Sequence, residues 1–399
     1  MRLNAPLLGT VFGLALAGSA MGQTDQQFRQ CNGPDPALAI LGCTAVIESH
    51  DSKPPLQSRA LVNRANAYVA RGQGERAIAD FDRAVMLDAK NRTAFAARGA
   101  YYQTQGDSTR ALADFNQAIG INPKDANAFL QRANFYLVTG EPQRALPDYD
   151  AAIKLDPKNV SAYANRGEAH RVQGEDDKAI ADFDAALKLD PNFAPAYDNR
   201  GVALTGKGDY DRAIADFGNA IKLDPKSVGP YNHRAIAYES KGAHDWALAD
   251  FATAIGLDPN NPAIYANRGN IYLEQNDLDR AIADFNHAIM IDAMDAEAFN
   301  NRGSAYAKKG DLTRALADFD TAIKLNPRLP NALANRGLVL VKTGENVRAI
   351  ADFNAALAAN PKDAFSLYNR GVAKQKMGDA VGGDVDVIAA RAIDPNVGK

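Results

Sequence analysis

The chain has 399 residues, of which 46% are hydrophobic, 23% charged and 8% aromatic. This composition is typical of a folded, water-soluble protein and excludes a collagen-like, disordered or polytopic membrane protein. Its 45 basic and 48 acidic residues leave a net charge of −3, without a prominent run of Lys and Arg. Because nucleic-acid binding depends on positive charge, the sequence predicts no nucleic-acid partner.

The N-terminal segment predicts export. Residues 1–22 contain Arg2, then an apolar stretch over residues 6–17, then the small residues Ala20 and Gly22. This order is typical of a secretory signal peptide, with cleavage near Gly22. The apolar stretch is short for a transmembrane helix of about 20 residues, and an uncleaved anchor is the alternative. We therefore expect a periplasmic or secreted protein with no integral membrane segment after the signal peptide is removed.

Residues 23–57 are predicted to form an N-terminal capping segment. It holds both cysteines, Cys31 and Cys43. In an oxidising compartment they can form a disulfide, worth about 3 kcal/mol in the chain-entropy model for a loop of this length. A metal-binding pair is the weaker alternative, because no nearby His completes a site. Asp35 and Pro36 predict the start of a helix, as N-cap and first-turn residue.

From residue 58 onward the sequence repeats with a period of 34 residues. Arg recurs at 64, 98, 132, 166, 200, 234, 268, 302, 336 and 370. Gly follows eight residues after Arg in nine units, with Asn276 as the exception, and Asp follows sixteen residues after Arg in all ten. Pro follows twenty-five residues after Arg in eight units. Gly and Pro end helices, so each unit is predicted to be an antiparallel pair of helices.

The spacing of small and aromatic residues resembles the tetratricopeptide repeat. The fifth unit shows the pattern in the residues Tyr197, Gly201, Ala213, Phe217, Ala220 and Pro225. The resemblance covers ten units, residues 58–91, 92–125, 126–159, 160–193, 194–227, 228–261, 262–295, 296–329, 330–363 and 364–397. It implies an all-α fold, a right-handed superhelical α-solenoid of antiparallel helix pairs. In this family the first helices line a concave groove that usually holds a peptide or protein. Stacking is also required physically, because one hairpin cannot bury its apolar face.

The recurring Arg and Asp depart from the family pattern, which usually has an apolar residue at the Arg position. On a helical wheel both charges fall within apolar arcs, which predicts a ladder of partly buried ion pairs. Its members include Arg166, Asp182, Arg200 and Asp216. Pairing within a repeat and pairing with an adjoining repeat both fit the sequence. An exposed pair, such as Arg212 with Asp216, is a competing arrangement. Binding of an anionic ligand is the functional alternative.

A second recurring residue is Asn, directly before the Arg in seven units. We call this set the asparagine column: Asn63, Asn165, Asn199, Asn267, Asn301, Asn335 and Asn369. Because a primary amide both donates and accepts hydrogen bonds, a column of amides can hold an extended peptide backbone. Some relatives in the family use an asparagine ladder in this way. The alternative is that each Asn braces neighbouring helices.

Other positions predicted to line the groove change character along the chain. They are apolar at Val62, Val69, Leu130, Leu137, Val138 and Val172, acidic at Glu239, Glu274 and Glu297, and basic at Lys308, Lys342 and Lys376. This order suits an extended partner of mixed character. Sequence drift on a solvated surface is the alternative.

Catalysis has little support in the sequence. The five histidines occupy different repeat positions without metal-ligand spacing, so we expect no enzyme activity, metal or cofactor. The predicted function is a non-enzymatic protein-protein interaction scaffold of the periplasm or cell envelope, which binds a protein or extended peptide along the groove. The alternative is an envelope polysaccharide-binding or polysaccharide-export accessory protein, for which Tyr102, Phe365 and Tyr368 are the candidate sugar-stacking residues. Self-association through the solenoid ends is a further alternative.

Overall fold

A computed structural model describes residues 22–398, and every regular element in this range is helical. The predicted signal peptide therefore lies outside the described residues, apart from Gly22. The helices fall into two units that divide in sequence between Lys207 and Gly208. In residues 22–398, none of the helices has the length and apolar character needed to cross a membrane.

Within residues 22–207 the first unit contains eleven helices: α1 (Gly22–Cys31), α2 (Pro36–Glu48), α3 (Pro54–Ala70), α4 (Gly74–Leu87), α5 (Arg92–Thr104), α6 (Ser108–Ile121), α7 (Ala126–Val138), α8 (Pro142–Leu155), α9 (Val160–Val172), α10 (Asp176–Leu189) and α11 (Ala194–Gly206). The second unit contains the other eleven: α12 (Tyr210–Leu223), α13 (Val228–Ser240), α14 (His244–Leu257), α15 (Pro262–Glu274), α16 (Leu278–Ile291), α17 (Ala296–Lys309), α18 (Leu312–Leu325), α19 (Pro330–Thr343), α20 (Asn346–Ala359), α21 (Ala364–Lys376) and α22 (Ala380–Ile393). Helices α3 to α22 supply two helices to each predicted repeat. The division between the units falls inside the fifth repeat, between α11 and α12.

The turn between the two helices of a repeat has the backbone conformation that the sequence predicts. The recurring Gly has a positive φ in all nine repeats that contain it, for example 70° at Gly72. Asn276, which replaces Gly in the seventh repeat, also has a positive φ, of 62°. Asn tolerates the left-handed region better than other residues with a side chain, so this exception preserves the turn.

The first nine repeats bury small and aromatic residues of their second helices. Phe183 and Ala186 of α10 are fully buried, and the equivalent residues are buried in the other repeats with an aromatic at this position. In both units a second helix also contacts the next first helix, which extends the core from repeat to repeat. Consecutive first helices approach one another, whereas consecutive second helices among those described do not. The first helices therefore form the inner side of the curve in each unit.

The N-terminal segment forms a further helical pair, α1 and α2, that packs on α3. The predicted disulfide between Cys31 and Cys43 joins the two helices. Asp35 caps α2 as predicted, accepting hydrogen bonds from the backbone amides of Ala37 and Leu38. At Gly42 a Cβ atom would lie 2.6 Å from the backbone nitrogen of Cys31, so only glycine permits this close approach of α1.

Two features of this segment differ from the sequence prediction. Helix α1 was not predicted, because its polar sequence shows no helical periodicity; Phe28 anchors it to the core. Helix α3 begins at Pro54, four residues before the predicted boundary at residue 58. Pro54 and Pro55 occupy its first turn. A missing backbone N–H costs no helical hydrogen bond there, so the two prolines can begin the helix.

Candidate functional site

The asparagine column follows the first helices, on the inner side of each unit. Asn165 donates from Nδ2 to Oδ1 of Asn134, at 2.8 Å, and Asn301 donates to Oδ1 of Asn270, at 3.0 Å. Both acceptors belong to the first helix of the preceding repeat. Three further column members donate to the preceding repeat or segment: Asn63 to Asn32 (2.9 Å), Asn267 to Asn232 (3.4 Å), and Asn335 to Asn300 and Ser304 (3.0 and 3.2 Å). These bonds brace consecutive first helices.

The remaining two members behave differently. Asn369 is 9% exposed and donates within its own helix to the carbonyl oxygen of Phe365, at 2.9 Å. Asn199 is partly buried and makes no bracing bond of this kind among the described residues. Because each amide has two N–H donors and a two-lone-pair oxygen, a bracing bond uses only part of the hydrogen-bonding capacity of an Asn. The partly buried members therefore retain further hydrogen-bonding capacity.

The apolar residues predicted to line the groove are partly core residues. Leu130 is 8% exposed and Val62 is 3% exposed, so placing them on the groove surface was wrong. Consecutive first helices contact each other, and a large side chain at this position fills the space between them. Leu137 is partly buried against the same cluster as Leu130. The apolar side chains that do reach solvent at the ends of the first helices are Val69, Val138 and Val172.

Two acidic residues of the predicted groove interact with each other. Burial raises the pKa of Glu239, and the charge of Glu274 raises it further, whereas His244 lowers it. Glu239 lies at the end of α13 and Glu274 at the end of α15, on consecutive first helices. Glu297 lies apart from them, exposed in the first turn of α17. This part of the second unit therefore presents concentrated negative charge, suited to a cationic side chain of a partner.

The predicted basic positions are partly engaged in structure. Nζ of Lys308 donates to the carbonyl oxygen of Leu273, at 3.2 Å, and Nζ of Lys376 donates to that of Val341, at 3.4 Å. Both acceptors lie near the C-terminal end of the preceding first helix, where a cation is stabilising. Lys308, Lys342 and Lys376 are nevertheless exposed.

The Arg and Asp residues form a ladder of bidentate ion pairs within repeats. Nε and Nη2 of Arg166 donate to Oδ2 and Oδ1 of Asp182, at 2.8 and 2.6 Å. The same two contacts, between 2.6 and 2.9 Å, join Arg and Asp in eight further repeats: 64 with 80, 98 with 114, 132 with 148, 234 with 250, 268 with 284, 302 with 318, 336 with 352 and 370 with 386. Arg200 and Asp216 belong to different units of the structure, so their pairing stays a prediction.

The third guanidinium nitrogen reaches the preceding repeat. Nη1 of Arg166 donates to Oδ1 of Asp150, at 2.7 Å. Seven other ladder arginines use Nη1 in the same way: Arg64 on Thr44, Arg98 on Asp82, Arg132 on Asn116, Arg200 on Asp184, Arg302 on Asn286, Arg336 on Asp320 and Arg370 on Asn354. The hydrogen bond to Asp182 raises the pKa of Arg166 against the opposing effect of burial, and Asp150 raises it further. Each such arginine therefore links two repeats, except Arg64, which links the first repeat to α2.

The inter-repeat contact was missed in the sequence, although a signal exists. Seven repeats have Asp or Asn two residues after the ladder Asp, and these residues supply the acceptors. The basic residues proposed as competing partners pair elsewhere. Arg212 contacts Asp209 at 3.5 Å, and both side chains are largely exposed.

The histidines and aromatic candidates lie in separate contacts. Nδ1 of His170 lies 2.6 Å from Oε2 of Glu175, and His287 stacks on Tyr265. Within residues 22–398, no three His, Cys, Asp or Glu side chains come together as a metal site would require. Tyr102, a candidate for sugar stacking, is 7% exposed, which removes it from any glycan-facing surface; Phe365 is 38% exposed.

Comparison with known proteins agrees with this geometry. One tetratricopeptide repeat model matches residues 62–126, 96–146, 130–192 and 300–364. A second model of the same description matches residues 251–283. A model described as TPR repeat matches residues 203–242 and 269–310. Stacked helix pairs, a row of first-helix side chains and the repeat-spaced ladder define a helical-repeat protein of the α-solenoid class. The chain belongs to the tetratricopeptide repeat family.

Two solved structures show the same fold. A tetratricopeptide repeat protein from Parabacteroides merdae has a TM-score of 0.51 and 22% identity, over 62% of this chain and 98% of that chain. Cut9–Hcn1, a hetero-tetramer of the APC/C, has a TM-score of 0.52 and 17% identity, over 94% of this chain and 85% of that chain. No curated protein sequence matches the chain.

Proposed function

We propose that this protein is a non-enzymatic interaction scaffold of the periplasm or cell envelope that binds an extended protein segment along its first helices. The observation that carries the proposal is the asparagine column. Its amides stand at the same position of the first helix in seven of the ten repeats, and the bonds of Asn165 and Asn301 to the preceding repeat use one N–H each. A backbone amide of a bound segment can pair with the remaining donors and acceptors, independently of its side chains.

Electrostatic complementarity supports a partner of mixed character. The carboxylates of Glu239 and Glu274 suit a Lys or Arg side chain of the partner, whereas the exposed ammonium groups of Lys308 and Lys342 suit acidic side chains. These four residues lie in the second unit, on consecutive first helices. A segment that follows the asparagine column would meet acidic and then basic positions in that order.

The test is a crosslinking pull-down with residues 23–399 from the exported fraction of the source cells, analysed by mass spectrometry. The triple variant Asn199→Ala, Asn267→Ala, Asn301→Ala is compared with the variant Asn192→Ala, Asn260→Ala, which alters exposed residues in turns between repeats. We expect the triple variant alone to lose a protein partner that the unaltered chain captures. Loss of thermal stability with undiminished capture would show that the column only braces helices. Capture of envelope glycan alone, or of the protein itself, would favour the polysaccharide or self-association alternatives.

Export is supported by two independent features. The signal-like segment at residues 1–22 predicts translocation, and the disulfide between Cys31 and Cys43 is of a kind that persists in oxidising compartments. The test is the mass of the protein recovered from each cell fraction without reductant. We expect the exported fraction to contain a chain that starts near Gln23 and resists thiol alkylation. A full-length chain with two alkylated cysteines in the cytoplasm would contradict export.

A further inference from the structure

Two ladder arginines lack the inter-repeat contact that the others make. Arg234 and Arg268 form the bidentate pair with Asp250 and Asp284 through Nε and Nη2. Among the ladder arginines of the described chain, these two alone have no hydrogen bond from Nη1. They belong to consecutive repeats, the sixth and seventh, and both lie in the second unit.

The reason is the residue at the acceptor position of the preceding second helix. This position holds Gly218 opposite Arg234 and Ala252 opposite Arg268. Neither side chain offers an acceptor. The Nη1–H group, which bonds to an Asp or Asn side chain in other repeats, is therefore available to another molecule in these two. A Cβ atom built at Gly218 would lie 3.7 Å from Nη1 of Arg234, which is an ordinary van der Waals distance. There is therefore room for an acceptor beside this nitrogen.

The other repeats show which chemistry fits. Nη1 contacts a carboxylate at Asp82, Asp150, Asp184 and Asp320. These Asp side chains are about half exposed, so the contact forms at the solvent edge of the helix pair. In four repeats the guanidinium thus donates to a second carboxylate besides the buried one. A carboxylate of another molecule could take the corresponding place beside Arg234 and Arg268.

The surface around Gly218 and Ala252 does not oppose an approaching carboxylate. Lys222 is exposed one turn after Gly218 on α12. On α14, the exposed residues nearest Ala252 are Ala249, Thr253 and Gly256, and none of them is acidic. Apart from Lys222, the exposed side chains nearest both acceptor positions are therefore small and uncharged.

We propose that the sixth and seventh repeats form a paired carboxylate-binding site, in which two acidic side chains of a partner polypeptide accept hydrogen bonds from Nη1 of Arg234 and Nη1 of Arg268. Each arginine offers one nitrogen only, because Nε and Nη2 are held by Asp250 and Asp284. A bidentate phosphate clamp is therefore absent. Each Arg is also neutralised by its Asp, so the site lacks the positive field that concentrates polyanions. Both facts favour an acidic peptide over a phosphate group.

The spacing of the site suits two acidic residues on one face of a helix. Packed helices lie roughly 8–10 Å apart, which sets the separation of equivalent atoms in consecutive repeats. Residues i and i+7 of an α-helix are about 10.5 Å apart along one face. The probe is therefore a fluorescein-labelled helical peptide with Glu at i and i+7, and inorganic phosphate is the comparison anion.

The decisive variant fills both acceptor positions without adding charge. Gly218→Asn, Ala252→Asn supplies the amide acceptors found at Asn116 and Asn286. The matched control, Thr253→Asn, Gly256→Asn, places two amides on the same exposed surface of α14, where Gly256 has open space around it. In fluorescence anisotropy at low ionic strength, we expect the filled variant of the full chain to bind the peptide at least tenfold more weakly. The control is expected to bind within twofold of the unaltered chain.

A second measurement keeps the result independent of folding. The filled variant is expected to melt at a higher temperature than the unaltered chain, because two internal hydrogen bonds form. Equal peptide affinity of the filled and unaltered chains would overturn the proposal. The proposal would also be overturned if the unaltered chain bound phosphate but not the peptide, and the filled variant no longer bound phosphate. The triple Asn variant of the first helices should bind this peptide normally, so failure of the scaffold proposal and failure of this one are distinguishable.

Discussion

The guanidinium of Arg166 and the carboxylate of Asp182 are joined by two parallel hydrogen bonds, from Nε at 2.8 Å and from Nη2 at 2.6 Å. Asp182 is 6% exposed, so its charge depends on this partner. Removal of the arginine would leave a buried carboxylate without its cation, which is far more costly than the loss of an exposed pair.

We therefore expect Arg166→Ala to destabilise the protein strongly. Breaking a buried pair costs roughly 3–5 kcal/mol, and the partial exposure of Arg166 places the expected loss at about 3 kcal/mol. Urea denaturation measures the loss, and Arg212→Ala, which removes an exposed contact with Asp209, should leave the midpoint nearly unchanged. Replacing both partners, as Arg166→Met with Asp182→Leu, should recover most of the stability. An unchanged midpoint for Arg166→Ala would contradict the ladder as a stabilising element.

A pH-dependent gain is expected for Glu239→Gln. The raised pKa of Glu239 means that the folded state binds this proton more tightly than the unfolded state. Stability is therefore lost as the pH rises through the window that begins near the usual Glu value of 4.5. At pH 7 the variant should melt at a higher temperature than the unaltered chain, and the difference should vanish below about pH 4. Glu297→Gln, at an exposed site, is the control; a gain that does not change with pH would count against burial of the charge.

The bracing contact of the asparagine column can be isolated in a double-mutant cycle. Asn301 donates to Asn270 at 3.0 Å, so each single change to Ala should cost about 1 kcal/mol. The two changes together should cost clearly less than their sum, because the second removes a bond already broken. Strict additivity would show that the two amides do not interact in solution.

The turn at Asn276 should tolerate glycine and little else. Its φ of 62° lies in the left-handed region. We expect Asn276→Gly to be neutral or slightly stabilising, whereas Asn276→Ala should cost about 1 kcal/mol. Thermal melting compares the two variants. If the alanine variant were as stable as the glycine variant, the backbone conformation at this turn would have to differ.

Loss of the disulfide should act locally. Cys31→Ser, Cys43→Ser removes the constraint between α1 and α2, which is worth about 3 kcal/mol for a loop of this length. Repeat proteins unfold by local units, so amide hydrogen exchange should accelerate in residues 22–48 and remain unchanged in α9 and α10. Acceleration throughout the first unit would contradict this local effect.

The hairpin pattern and its turns could be predicted because they depend on local chemistry. Gly72 and Asn276 end first helices through their own backbone preferences, and Asp35 caps α2 with its own side chain. The helical wheel also placed Arg166 and Asp182 within the apolar arcs of their helices, because the position of a residue on its own helix depends only on local sequence. The sequence left open whether Arg166 pairs within its repeat or with an adjoining one, and the structure shows contacts of both kinds.

Contacts between repeats could not be predicted from a single hairpin. The wheel places Leu130 on an open face, yet the next first helix covers it. Likewise, Nη1 of Arg166 reaches Asp150 of the preceding repeat, a contact that needs both repeats in place. Whether the asparagine column braces helices also depends on the neighbouring repeat. The acceptors Asn134 and Asn270 lie on the first helix of the preceding repeat.

Where a ladder arginine makes an inter-repeat bond, the bond extends toward the N-terminal neighbour, so the coupling it provides has a direction. Loss of Arg302 would weaken the junction with the seventh repeat, whereas the junction with the ninth depends on Arg336 and would keep its bond to Asp320. In a nearest-neighbour array this determines how far an unfolding event spreads. Cooperativity is thus expected to be uneven in the second unit, because the eighth to tenth repeats have this bond to their predecessors and the sixth and seventh repeats lack it.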